Sequence, residues 1–188
     1  MRISGGIARG VPLVVPGGDL VRPATDGMRQ AVFSSLGART VGAIFWDLFA
    51  GSGAYGLEAL SRGAAAGAFV ERSTKAMVCI KRNLAAISRS IGRDLAAVRT
   101  FEIDALSWAM PEGAEAADLI FIDPPYELIP QVAPVLFPRL ARALAHKPDA
   151  LVLFEMPGDR ELAPEGWSCI KRLGKGAHQP TVAVFRRS

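Results

Sequence analysis

The sequence predicts one α/β domain: a mostly parallel sheet with helices on both faces, preceded by a small hairpin and helix and finished by an antiparallel hairpin. Three observations lead there. Between Ala43 and Glu155, short β-rich apolar runs alternate with helical patterns, as strand–helix–strand units do. After Glu155, two further strand candidates lack a helix-length segment between them, so they must pair antiparallel. Before Ala43, short extended runs flank Gly5-Gly6 and Gly10, which suits a hairpin set ahead of the core.

Taken in order, residues 2–4 and 11–15 are the strands of the leading hairpin. Thr25 or Asp26 then starts a helix with Met28, Val32, Phe33 and Leu36 on its apolar side, stopped by Gly37. Strand candidates follow at 43–49, 67–71, 98–103, 119–122 and 151–155. The helix at 55–60 ends near Gly63, and Ser73 caps a longer one running to about Ser90, with Ala76, Ile80, Leu84 and Ile87 on one face. Over 129–144 the helical pattern is interrupted by Pro134 and Pro138, each of which removes a backbone hydrogen bond, so a kinked or broken helix is predicted. Turn-rich stretches at 157–159 and 163–166 lead into the final strands, 167–173 and 181–186.

At 188 residues, half of them apolar, the chain can bury a core without cross-links. No apolar run reaches the roughly 18 residues of a membrane span, and the N-terminus lacks a signal-peptide pattern, so a soluble cytoplasmic protein is expected. Cys79 and Cys169 sit in apolar contexts without metal-ligand spacing and read as buried thiols. A net charge of +4 mildly favours a polyanionic partner.

The strand at 43–49 runs into Gly51-Ser52-Gly53-Ala54-Tyr55-Gly56, a G-x-G-x-x-G turn between strand and helix. Glycines permit positive φ and close approach of a ligand, while the following helix N-terminus favours an anionic group. Glu71, at the end of the second strand, can accept hydrogen bonds from both hydroxyls of an adenosine ribose. NAD and S-adenosylmethionine share that ribose, so both stay open on these residues. Asp47 tips the choice, because a carboxylate beside phosphates serves no purpose while a methionine ammonium needs one. Asp104, ending the third strand, is a candidate acceptor for the adenine amino group, with a helix cap as its structural alternative.

The apolar strand at 119–122 delivers Asp123-Pro124-Pro125-Tyr126 to the carboxyl edge of the sheet, where open α/β folds bind ligands. The lone pair of a base amino group is delocalised into its ring, so an enzyme must reshape that nitrogen as a methyl arrives. The Asp123 carboxylate and the Pro124 carbonyl can take one N–H each, with the prolines restricting both acceptors. Tyr126 offers a ring on which an extruded base could stack. No metal is implied, because a sulfonium already activates the methyl.

With these motifs the chain resembles the RsmD-type bacterial methyltransferases, which modify the 2-amino group of a guanine in small-subunit (16S) ribosomal RNA. The likeness covers nearly the whole chain. It rests on Arg2-Ile3-Ser4-Gly5-Gly6 with Arg9-Gly10, Arg22-Pro23-Ala24-Thr25-Asp26 with Arg29, Asp47-Leu48-Phe49-Ala50-Gly51-Ser52-Gly53, Gly56 through Ala64, and Asp123 through Tyr126. Family members often carry Thr at the place of Ala24, a basic residue at that of Gly27, and a Gly-Asp-Thr run where this chain has His178-Gln179-Pro180-Thr181.

The resemblance implies a Rossmann-like class I methyltransferase fold with a seven-stranded sheet, residues 41–188 as catalytic core and residues 1–40 as an RNA-contacting extension of the same domain. It assigns S-adenosylmethionine to Asp47, Phe49, Gly51, Ser52, Gly53, Glu71 and Asp104, and catalysis to Asp123, Pro124 and Tyr126. Substrate RNA falls to Arg2, Arg9, Arg22, Arg29 and Tyr126. The expected partner is 16S ribosomal RNA or a small-subunit assembly particle, met by a monomer without metal or membrane. Scattered solvated arginines are the alternative for the basic set. DNA amino methylation, a nicotinamide oxidoreductase and a non-catalytic RNA-binding role are the competing functions. Lys171, Arg172, Lys175, Arg186 and Arg187 read as a solvated sheet edge, His146 and His178 as surface residues, and Trp46, Trp108 and Trp167 as packing.

Overall fold

The computed structural model describes residues 1–17, 25–111, 114–174 and 176–188. The expectations placed on Arg22, Pro23, Ala24 and Lys175 therefore lie outside the described residues.

Among the described residues, four α-helices and seven strands alternate as the hydrophobic periodicity requires: α1 (Asp26–Leu36), β1 (Ile44–Leu48), α2 (Ala54–Ser61), β2 (Ala66–Glu71), α3 (Thr74–Ile91), β3 (Val98–Glu102), β4 (Leu119–Ile122), α4 (Ile129–Ala143), β5 (Leu151–Pro157), β6 (Trp167–Leu173) and β7 (Pro180–Arg187). Thr25 caps α1 by accepting from the Met28 amide, and Ser73 does the same for α3 at Ala76. One seven-stranded sheet has the order β3-β2-β1-β4-β5-β7-β6. Its first five strands are parallel, and β7 pairs antiparallel with both β5 and β6.

Alternation along the central strands divides the core between two faces. Phe45, Phe69, Phe121 and Leu153 pack under α1, α2 and α3 on one face, while Trp46, Val70, Ile120, Ile122 and Phe154 meet α4 on the other. Each large apolar side chain fully buried here contributes roughly 1.5–3 kcal/mol. Trp46, Trp108 and Trp167 are all buried, as packing residues should be.

Three expectations change. Helix α4 is one uninterrupted element despite Pro134 and Pro138, because both prolines lie on its exposed side. The residues whose carbonyls they orphan, Pro130 and Pro134, are themselves exposed, and burial of Ile129, Val132, Ala133, Leu136, Phe137 and Leu140 holds the other side to the sheet. The leading hairpin is reduced to a single antiparallel bridge, Arg2 to Pro12, framed by hydrogen bonds from the Ile3 amide to the Val11 carbonyl at 3.0 Å and from the Leu13 amide to the Met1 carbonyl at 3.1 Å, while other groups of the segment dock on α2. Ser4 binds Glu58 through its amide and hydroxyl at 2.8 Å each, and the Ala8 amide donates to Ser61 Oγ at 3.0 Å. Ile3, Ala8 and Leu13 are buried with the sheet residues, so this arm shares the main core. Finally, Cys79 is buried but Cys169 is exposed, since β6 is an edge strand that buries only Trp167.

Candidate active site

Strand order places a row of carboxylates along the carboxyl edge of the parallel sheet. Asp47 on β1 is in register with Phe69 on β2 and Phe121 on β4, and Phe121 with Leu153 on β5. Side chains two apart share a face, so Glu71, Asp123 and Glu155 emerge on the same side as Asp47. Asp104, just past β3, completes the edge.

Between β1 and α2 the backbone enters the left-handed region three times, at Phe49 (φ 63°), Gly51 (φ 55°) and Gly53 (φ 81°). For a bulky residue such as Phe49 that is a true outlier, and strain of this kind gathers at ligand sites. The three motif glycines have separate tasks. A Cβ at Gly51 would meet nothing within 4 Å, so the turn is open on that side. Gly53 faces Phe69, Leu57 and Ile80, and a Cβ at Gly56 would stand 2.4 Å from Phe69 Cε1 and 2.5 Å from Phe45 Cε2. Those two glycines let α2 sit down on the sheet.

Carboxylates hold the turn in shape. Glu71 accepts the Gly51 amide with Oε2 and the Ser73 amide with Oε1, both at 2.8 Å, and Asp47 Oδ2 accepts the Gly56 amide at 2.9 Å. Asp47 is nearly sealed from water, and burial, reinforced by the charge of Glu71 and opposed by the Gly56 hydrogen bond, pushes its carboxyl up to about 8. Asp104 accepts the Leu106 amide at 2.7 Å in a turn and meets the Arg72 guanidinium at 3.5 Å; among the described residues no helix follows it before β4, so it closes a turn and caps no helix.

Beyond Asp123, Pro124 is buried and Pro125 exposed, and half-buried Tyr126 opens a short 3₁₀ turn, Tyr126–Leu128. Burial and the charges of Glu155 and Asp47 raise the Asp123 carboxyl well above the usual carboxylate range. Two neighbours escaped the reading of the sequence. Tyr55 donates its hydroxyl to Glu155 Oε2 at 2.7 Å, and its ring stacks on Phe121 at 5.2 Å. Burial also raises the Glu155 carboxyl, against the lowering effects of the Tyr55 hydroxyl and the Arg29 charge. Glu155 could have been found, since a carboxylate closing an apolar strand repeats the pattern of Asp47 and Asp123. Tyr55 could not, because a tyrosine inside a glycine motif carries no sign of its partner.

The arginines divide. Arg2 and Arg9 are exposed, with Arg2 3.8 Å from Asp26. Arg29 is a correction: it is wholly buried, donating to Asp26 at 2.6 Å and to the Arg2 carbonyl at 2.7 Å, with Glu58 3.8 Å away. A guanidinium so enclosed has no route to a phosphate. Glu58, also buried, further pairs with Arg62 at 2.9 Å, so the narrow motifs around residues 2–6 and 58–62 are one docking joint. His146 and His178 are exposed, and Lys171, Arg172 and Arg186 lie exposed on the β6–β7 edge. Among the described residues no group of three or more His, Cys, Asp or Glu side chains is arranged to hold a metal, and no helix is long and apolar enough to cross a membrane.

Residues 1–184 match the family described as Conserved hypothetical protein 95. Ribosomal RNA small subunit methyltransferase D of Escherichia coli (strain K12) is 36% identical over 126 residues, which span 67% of this chain and 60% of that protein. The protein of the same description from Haemophilus influenzae is 30% identical over 177 residues, 94% of this chain and 89% of its own length. Among solved structures, a hypothetical protein of Thermus thermophilus is 30% identical with a TM-score of 0.74, covering 98% of each chain. An RNA methyltransferase from Salinibacter ruber in complex with S-adenosyl-L-homocysteine shares the fold at 15% identity, with a TM-score of 0.63 over 88% of this chain and 94% of that one.

Proposed function

This chain belongs to the RsmD-type methyltransferase family, described as Conserved hypothetical protein 95, and from that premise we propose that it methylates ribosomal RNA. In this reading it uses S-adenosylmethionine to modify the exocyclic 2-amino group of a guanine in small-subunit RNA, free or in an assembly particle. It acts in the cytoplasm, as a monomer and without a metal. The observation that carries the proposal is the placing of two chemically different sites on one sheet edge: a glycine turn open beyond Gly51, and the Asp123-Pro124 pair one strand away.

The residues suit the cofactor. A carboxyl as buried as Asp47 gains most from a cationic partner, which fits the ammonium of a methionine moiety. Glu71 uses two of its roughly four acceptor positions on the Gly51 and Ser73 amides, leaving capacity for ribose hydroxyls. Asp104 stands beyond Glu71 for the adenine amino group, and Phe49 offers an apolar wall. When bound, the cofactor supplies a methyl group already activated by its sulfonium charge. The chain's own work is then on the amine. Asp123 Oδ and the Pro124 carbonyl each accept one N–H, which draws the nitrogen toward tetrahedral geometry and aims its lone pair. Tyr126 supports the base by stacking.

Incubation with labelled methyl donor and unmodified small subunits or their RNA, followed by nucleoside mapping, should yield N2-methylguanine. Label entering only duplex DNA would replace this reading with DNA amino methylation. Asp123→Ala should lower the rate by roughly 10²–10³-fold, as loss of an acceptor at developing charge does, while S-adenosylhomocysteine affinity stays near that of the unaltered protein. A comparable collapse of that affinity in calorimetry would move Asp123 from the amine to the cofactor.

A further inference from the structure

Asn83 occupies a position where the helix pattern calls for an apolar side chain. It lies on the inner stripe of α3 with Ala76, Ile80 and Ile87 and is 1% exposed. A primary amide there costs stability unless its polar atoms are satisfied. Its Oδ1 accepts the Val14 amide at 2.8 Å, and its Nδ2 donates to the Val14 carbonyl at 2.9 Å and to the Ser52 carbonyl at 3.0 Å. All three lengths are those of well-formed bonds, and both amide hydrogens are used.

Each contact does something a merely structural polar residue would not need to do. By taking both the N–H and the C=O of Val14, Asn83 treats the arm as an adjacent strand would. By taking the Ser52 carbonyl, it fixes the peptide plane between the two left-handed glycines, and the same peptide's Gly53 amide closes the turn on the Ala50 carbonyl at 2.7 Å. The rest of the arm is fastened elsewhere, on Glu58 and Ser61 of α2. Asn83 is thus a direct link between the arm and the turn.

We infer that Asn83 is a positioning residue that couples the N-terminal arm to the glycine turn, so that filling the turn and docking the arm strengthen each other. The inference rests on the proposed reading of the turn as the cofactor site. It adds a regulatory consequence: Arg2 and Arg9 are exposed on the arm, so an RNA bound there is felt at the cofactor, and cofactor is felt by the RNA. Such reciprocity is required thermodynamically of any two linked sites.

Hydrogen exchange on the unaltered protein, with and without S-adenosylhomocysteine, is the first test. The Val14 amide and its neighbours should exchange more slowly when the ligand is bound, although the ligand sits on the turn. The second uses Asn83→Asp, which keeps the acceptor and the size but puts oxygen against the Val14 and Ser52 carbonyls, and Asn83→Ala, which removes all three bonds. Both should bind S-adenosylhomocysteine more weakly, by roughly fivefold to a hundredfold, the usual range of coupling between sites, and both should lose the ligand-dependent slowing in the arm. Arm exchange indifferent to ligand in the unaltered protein overturns the coupling, whether or not the variants fold. So does a variant that melts earlier yet binds as tightly as before. If the unaltered protein binds no S-adenosylhomocysteine, the cofactor reading fails first and this inference with it.

Discussion

Asp47 is 2% exposed beneath the glycine turn, and burial holds its carboxyl near 8, against about 3.9 in an unfolded chain. Between those values the folded protein keeps a proton that the unfolded chain releases, so this residue's contribution to stability is full below about pH 4 and is lost as the pH rises toward 8. Asp47→Asn keeps an oxygen for the Gly56 amide and cannot ionise. Scanning calorimetry should therefore find its Tm advantage over the unaltered protein growing between pH 5 and pH 8, while S-adenosylhomocysteine affinity falls. An advantage independent of pH would mean that Asp47 is not the titrating group. The residue is kept at a cost in stability, which is what a side chain reserved for a ligand looks like.

At the scale of the element, the glycine motif is a turn and a packing surface at once. A Cβ at Gly56 collides with Phe45 and Phe69, so Gly56→Ala should cost about 1–3 kcal/mol in urea unfolding, as overpacking of a tight core does. Gly51→Ala meets no atom but keeps a strained φ, so its larger effect should be on ligand affinity. Equal losses of stability in the two variants would contradict that division. Helix α4 teaches the converse lesson about prolines. Pro134 and Pro138 argue against an unbroken helix only if their side is buried, and the apolar stripe from Ile129 to Leu140 outweighs hydrogen bonds that water can replace.

For the whole molecule, the arginines separate folding from binding. Arg29→Ala removes the buried guanidinium that faces buried Glu58 and half-exposed Asp26, so it should destabilise the fold by about 3–5 kcal/mol. Arg9→Ala should leave Tm unchanged and reduce the salt dependence of RNA binding by about one unit of slope. An unchanged slope would return Arg9 to the solvated surface. Strand alternation, the switch to an antiparallel end, the glycine turn and Asp123 through Tyr126 were all legible in the sequence, because period, turn chemistry and motif spacing are local properties of the chain. The sequence alone determined where the strands of the sheet lie, to within two residues at their ends. Only the tertiary structure decided that Glu155 and Tyr55 join Asp123, that Asn83 ties arm to turn, and that Arg29 lies inside instead of facing RNA. Partners 27, 69 and 100 residues apart are chosen by strand order and helix docking, which no local pattern encodes.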